Sequence, residues 1–213
     1  PVLIEERFIT PLHRSRFTRY LVDKPGKNNW PWLFKMYGGG KVTRELSFIA
    51  QQTESELVIQ TPYLIVNRWA QRRFKSIRKK SPDVQFIIST NSFAATDNRL
   101  AYSANYRLRS PYIKKLKFQI YEFKPYPESL AEDFPQYPLM QAKATKEGLK
   151  EPPLFCVHGK SFVIDKRIAF IGTPNLDPRS FNLNTEEGFL FDDEVIAEAL
   201  RTNILRDTAP GNS

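Results

Sequence analysis

The chain has 213 residues, is 41% hydrophobic and carries a net charge of +9. That length suffices for one domain with a sizeable core, and no stretch approaches the roughly 20 apolar residues that a membrane-spanning helix needs. A single cysteine, Cys156, excludes an internal disulfide, and with only two histidines a zinc site of the usual His/Cys type is improbable. The basic balance favours phosphate-bearing partners, an anionic lipid surface or nucleic acid, without choosing between them.

The start, Pro1-Val2-Leu3-Ile4-Glu5-Glu6-Arg7, has neither an initiator Met nor a signal-peptide pattern, so a fragment or a processed chain is expected. Residues 1–40 read as an irregular connector with a short apolar run at Val2-Leu3-Ile4, a turn at Lys24-Pro25-Gly26-Lys27 and a break at Gly38-Gly39-Gly40. His13 has no lysine at a useful offset and reads as a surface histidine. Trp30, Trp32, Leu33 and Phe34 form an aromatic cluster suited to a lipid interface or to covering a core.

Residues 41–213 read as one domain. Thr43 is placed to cap a helix running to Gln52, with Leu46, Ile49 and Ala50 on one face. Glu56–Thr61 reads as a strand, followed by Thr61-Pro62-Tyr63. The spacing of Val66, Trp69, Ala70, Phe74 and Ile77 predicts an amphipathic helix to Lys79. Its other faces carry Arg68, Arg72, Arg73, Lys75, Arg78, Lys79 and Lys80, either a solvated exterior or a surface that attracts anionic headgroups. Val84–Thr90 is an apolar strand leading into Thr90-Asn91-Ser92-Phe93-Ala94-Ala95-Thr96-Asp97. Asn91 and Ser92 then lie at the carboxyl end of a strand, where open α/β sheets bind ligands.

A helix is expected over 98–116, interrupted near Pro111, and a strand over Phe118–Phe123. Residues 124–153, rich in proline, read as a long loop that shapes or lids a substrate entrance. Phe155–Ile164 and Arg167–Ile171 read as a hairpin about Asp165-Lys166-Arg167. Thr185–Phe191 is the last strand. Asp192 is placed to cap a final helix to Leu205, with Val195, Ile196, Ala199 and Leu200 inward. The alternation predicts an α/β fold with a mixed central sheet and helices on both faces.

The chemistry concentrates in Val157-His158-Gly159-Lys160-Ser161-Phe162-Val163-Ile164-Asp165, an H-x-K-x4-D pattern. Seventeen residues after His158 stands Asn175, within Gly172-Thr173-Pro174-Asn175, and Glu186 follows eleven residues later. A phosphodiester repels nucleophiles, so a site must neutralise its charge, attack phosphorus and protonate a leaving alcohol. An imidazole with a pKa of roughly 6.5 is partly neutral and nucleophilic near pH 7. Residues two apart on a strand share a face, so His158 and Lys160 are expected to reach one phosphate. Cys156, in the apolar run Leu154–Val157, reads as packing.

This order of residues resembles the phospholipase D superfamily. Tyr20–Lys27, Thr61-Pro62-Tyr63 and the Thr90–Asp97 tract resemble the second half of its cardiolipin-synthase-like members, over roughly residues 20–206. The resemblance implies a layered α/β/α fold and a covalent phosphohistidine on His158. It implies that Lys160, Thr173 and Asn175 hold the phosphate oxygens, that Asp165 supports, and that Glu186 orients a catalytic histidine. Asn91 and Ser92 are placed as supporting residues. No metal and no cofactor are implied, because lysines neutralise the charge. The implied reaction is phosphatidyl transfer on anionic phospholipids, peripherally at a bacterial cytoplasmic membrane. A superfamily endonuclease acting on DNA or RNA, and a catalytically incomplete lipid-binding module, are the alternatives. The family uses two such motifs and this chain has one. The missing histidine is expected from an upstream half of the same protein or from a homodimer mate, and the chain alone is expected to be weakly active or inactive.

Overall fold

Alternating apolar strands and amphipathic helices assemble one mixed seven-stranded sheet in the computed structural model, which describes residues 12–29, 40–149 and 153–213. The run at Val2–Ile4 and the aromatic cluster at Trp30–Phe34 lie outside the described residues. In chain order the first half comprises β1 (Thr18–Val22), α1 (Lys41–Ala50), β2 (Glu56–Gln60), α2 (Arg68–Lys80), β3 (Gln85–Asn91), α3 (Arg99–Pro111), a π-helical turn (Tyr112–Leu116) and β4 (Phe118–Phe123). The second half comprises α4 (Leu130–Asp133), α5 (Tyr137–Lys146), β5 (Ser161–Ile164), β6 (Ile168–Gly172), α6 (Pro178–Asn182), β7 (Glu187–Asp192) and α7 (Glu194–Asp207). The strand order is β1-β7-β6-β5-β2-β3-β4. β2, β3 and β4 are parallel, joined by helical crossovers, and the remaining pairs are antiparallel.

Both faces of the sheet are covered. On one, α2 buries Ala70, Phe74 and Ile77, and the Phe74 ring meets Phe86 and Phe118 edge-on at centroid distances of 5.3 and 4.8 Å. Asn67 starts α2 by accepting the Ala70 N–H at 2.8 Å. On the other face, Ala197 and Ile204 of α7 pack with Val58, Val163 and Ala169.

Four local expectations are corrected. Residues 18–22 are a strand, not part of an irregular connector; only Leu21 of β1 is buried, so the apolar alternation that marks a strand is missing from its sequence. α1 begins at Lys41, with Thr43 inside it. The Val42 N–H donates to Asp23 Oδ1 at 2.9 Å, so a carboxylate nineteen residues upstream replaces the local cap. Gly40 permits that approach, since a Cβ there would lie 2.2 Å from Asp23 Oδ1. The 124–153 segment holds α4 and α5; α5 buries only Tyr137 and Ala144, too little to leave an apolar stripe.

The last helix is capped by Asp193, which accepts from Val195 and Ile196 N–H at 3.0 and 3.1 Å. That shifts the buried face to Ala197 and Ile204 and leaves Val195 and Ala199 exposed. His13 is tied to this cap, its Nε2 lying 3.0 Å from Asp193 Oδ2. The Arg16 N–H, then His13, hold the Asp193 carboxyl well below the usual carboxylate range.

The register brings one edge of the sheet into focus. The carboxyl ends of β2, β3 and β4 lie beside the start of β5 (Gln60 opposite Ser161), the end of β6 (Gly172 opposite Gly188), the start of β7 and the end of β1 (Val22 opposite Glu187).

Candidate active site

His158 and Lys160 sit at this edge, on extended chain just before β5 rather than within a strand. What fixes them is side-chain bonding. Asn91, the last residue of β3 and buried, accepts the Val157 N–H at 2.7 Å and donates its Nδ2 to the Val157 carbonyl at 2.9 Å. An amide side chain thereby does the work of a neighbouring strand immediately before His158. Ser92 caps the next turn, accepting from Ala95 N–H at 3.2 Å. Gly159 packs against Gln60, where a Cβ would lie 2.0 Å from Oε1. The Lys160 carbonyl accepts from Gly172 N–H at 3.0 Å, which joins the segment to the end of β6.

The His158 ring is exposed, and among the described residues it has no hydrogen-bond partner. It borders a cavity of about 370 Å³ that Cys156, Asn203 and Asp207 also line, with Phe134 from the segment after α4 as part of its wall. The Lys160 Nζ donates to the His158 carbonyl at 2.7 Å. Burial pushes its ammonium down, while Asp97, Glu186, Cys156 and Asp177 pull the other way. Burial also raises the half-buried Cys156 thiol and pushes Asp207 up, against the amide bond from Gln60 at 2.6 Å.

Thr173 and Asn175 follow β6 at the same edge. The Thr173 hydroxyl donates to Glu186 Oε2 and accepts from Glu187 N–H at 3.0 Å. Glu186 is buried and bonded to Thr173. The Asn175 N–H donates to Ser180 Oγ at 3.0 Å, and Asp177 caps the short turn α6 through Arg179 and Ser180 N–H at 2.7 and 3.0 Å. The Asn175 side-chain oxygen is buried without a hydrogen-bond partner among the described residues. Orphaned acceptors of this kind are rare in native proteins.

Asp165 stands apart. It lies at the far end of β5, roughly 16 Å of extended strand from Lys160. Asp165 and Lys166 both have positive φ, 49° and 59°, and Arg167 N–H closes the turn on Ile164 O at 3.0 Å. The pair makes the two-residue hairpin turn whose twist suits the flanking strands. The Asp165 carboxylate accepts from Glu54, Ser55 and Glu56 N–H at 2.8–2.9 Å and from the Ser55 hydroxyl at 2.7 Å. Burial alone would raise its pKa; these bonds outweigh it and hold it below the usual range. The structure thus sets Lys160, Thr173, Asn175 and Glu186 along one sheet edge, places the His158 ring two residues from Lys160 on the cavity of about 370 Å³, with Asn91 fixing the chain before it, and leaves Asp165 outside.

Two further charged or polar pairs brace the edge, and neither is marked by a sequence motif. Lys27 Nζ donates to Asp23 Oδ2 at 2.8 Å and to Ser180 O at 2.9 Å, both charged side chains being 1% exposed. Asp23 also accepts from Glu186 N–H at 3.2 Å. The four-residue spacing of Asp23 and Lys27 was visible, but nothing in it announces burial. Tyr63 donates to Asp97 Oδ1 at 2.9 Å, and burial together with that bond pushes its hydroxyl up to about 12.

The fold is that of NucT from Helicobacter pylori and of Nuc, a phospholipase D family member from Salmonella typhimurium. The TM-scores are 0.58 and 0.54 at 14% and 12% identity, covering 89% and 92% of this chain and 94% and 97% of those chains. Residues 47–208 match the family model of the cardiolipin synthase PLD-like domain, and the chain belongs to that family, within the phospholipase D superfamily. Cardiolipin synthase C of Escherichia coli is 28% identical over 192 residues, 86% of this chain and 35% of that protein. The chain spans about a third of the length of the curated relatives it matches at full extent. No helix among the described residues is long and apolar enough to cross a membrane.

Proposed function

We propose that this chain supplies one catalytic half of an enzyme that transfers phosphatidyl groups between alcohols through a phosphohistidine. A His158 ring nitrogen attacks the lipid phosphorus, and the bond to the leaving alcohol breaks. A histidine from a second H-x-K half, upstream in the same protein or in a homodimer mate, protonates that alcohol. The same group then takes the proton of an incoming alcohol or water, whose oxygen displaces His158. Lys160 and the Asn175 amide hold the non-bridging oxygens, where charge builds up in the transition state. Glu186 and Thr173 act on the position of this phosphate site, and Asn91 on the position of His158. Asp165 serves by pinning the hairpin.

The observation that carries this reading is the single sheet edge that presents an exposed His158 and a half-buried Lys160 and holds Asn175 directly after β6, where the Asn175 side-chain amide N–H group is the donor a phosphate oxygen needs. Membership in the cardiolipin synthase family and the similarity to cardiolipin synthase C favour a lipid substrate. The net charge of +9 supports a second reading, hydrolysis of nucleic acid. Incubation of the intact protein with labelled phosphatidylglycerol and, separately, with DNA tests the two. The expected outcome is a lipid product and a phosphohistidine peptide that contains His158. Cleavage of DNA with the lipid untouched replaces the reading by the second one.

A further inference from the structure

A second cavity, of about 120 Å³, adjoins the candidate site on the sheet face covered by α1 and α2. Its lining is almost wholly carbon. α1 contributes Leu46, Ser47 and Ala50, spaced along one helical face and only half-buried, so that stripe has no full partner among the described residues. Trp69 and Phe74 of α2 form the opposite wall, and Ile59, Phe162 and Phe170 of the sheet form the floor. The lining also includes Lys160 and Pro174, from the two segments that hold the proposed phosphate, and Thr61, whose hydroxyl accepts from Leu176 N–H at 3.2 Å. At the rim, the Arg73 guanidinium lies 5.2 Å from the centre of the Trp69 ring. Arg68, Arg72, Lys75, Lys79 and Lys80 are exposed on the same helix.

We infer that this cleft is an acyl-chain subsite: it takes the first methylenes of one fatty chain of the lipid whose phosphate lies at Lys160. The inference rests on the lipid reading above and locates the chain. A cavity of roughly 150 Å³ lined by Leu, Ile and Phe stays dry and takes up benzene, so this cleft has room for about four methylenes. Each buried methylene is worth about fourfold in binding. A nucleic-acid strand has no part to place there, since its groups next to the phosphate are hydroxylated sugars. The basic face of α2 fits the same occupant, because it draws the protein to an anionic bilayer while the apolar face lines the cleft.

Two measurements on the intact protein test this. In the first, Ser47→Phe fills the cleft from the half-buried face of α1, away from the proposed catalytic groups. Cleavage is followed on dihexanoyl and dioleoyl phosphatidylglycerol and on the chain-free diester bis(4-nitrophenyl) phosphate. The variant is expected to lose about a hundredfold or more in kcat/KM on both lipids, as four methylenes at about fourfold each require, and to keep the chain-free activity within twofold. In the second, Trp69 is left as the sole tryptophan of this chain by Trp30→Phe and Trp32→Phe. Its fluorescence is read in micelles of phosphatidylglycerol brominated near the carboxyl end of the acyl chain; quenching is expected, and Ser47→Phe is expected to abolish it. Lipid turnover without quenching, and with unchanged cleavage by Ser47→Phe, means that the protein itself closes the cleft and overturns the subsite alone. Quenching without any lipid turnover sinks the transfer reading and leaves the subsite standing. A Ser47→Phe protein that loses chain-free activity as well has a damaged site, and the quenching result then decides.

Discussion

The two ends of β5 carry the two ends of one sequence motif, and they are built in opposite ways. At the His158–Lys160 end the chain is extended but unpaired as a strand. The imidazole is exposed and makes no hydrogen bond among the described residues. At the Asp165 end four donors converge on one carboxylate, and the turn takes the shape a hairpin needs. Hydrogen-bonding capacity left open costs stability and has to serve something else, whereas capacity fully used has already served the fold. The contrast separates the motif into a chemical part and an architectural part that sequence spacing alone treats as one.

The largest effect that bears on this contrast is expected at His158. His158→Ala should lower turnover of the intact protein by at least about a thousandfold, because it removes either the nucleophile or the general acid. Stability should stay within about 0.5 kcal/mol, since an exposed ring without a hydrogen bond contributes little. Steady-state lipid turnover and a urea midpoint read both, and retained turnover would dissolve the distinction between the two ends. Next in size is the buried pair that braces the site. Lys27→Met leaves Asp23 charged and unpaired, which costs about 3–5 kcal/mol in buried pairs of this kind. It also frees Ser180 O and loosens the chain beside Glu186, so turnover of the folded fraction should fall by about tenfold. A stability loss with unaltered kcat would mean that the brace serves the fold and not the site.

The apolar pattern made α2, β2 and β3 legible, because each buries several apolar side chains, such as Ala70, Phe74 and Ile77 of α2. The site's composition was legible for a different reason: His158, Lys160, Thr173 and Asn175 are chemically unusual neighbours at fixed intervals. What stayed hidden depends on partners far along the chain. β1 buries one side chain, and its strand character comes from pairing with β7. The cap of α1 is Asp23, supplied from outside the helix. Glu186 was found by its distance from Asn175, yet its bond to Thr173 follows from the antiparallel register of β6 and β7. Asp165 was expected to support, but what it bonds to, the Glu54–Glu56 segment, follows from the register of β2 and β5 and not from the motif.

The smallest expected effect is the one that most sharpens the contrast. Asp165→Asn keeps the side-chain shape and tolerates the positive φ, but it trades a charged acceptor for a neutral one against three backbone N–H groups. The loss should be about 1 kcal/mol, because the carboxylate is partly solvated and its bonds are discounted accordingly. The folded-state pKa of Asp165 is depressed. Its contribution is therefore fully present above the unfolded carboxyl value of about 3.9 and is lost as pH falls through the lower folded value. Urea unfolding at pH 7 should separate wild type from Asp165→Asn by that amount, and the gap should close in acid below the depressed pKa. Over the same series kcat at pH 7 should change by less than about twofold. A variant that unfolds like wild type at pH 7 but turns over like His158→Ala would place Asp165 in the chemistry after all, and the two ends of β5 would then have to be understood as one site.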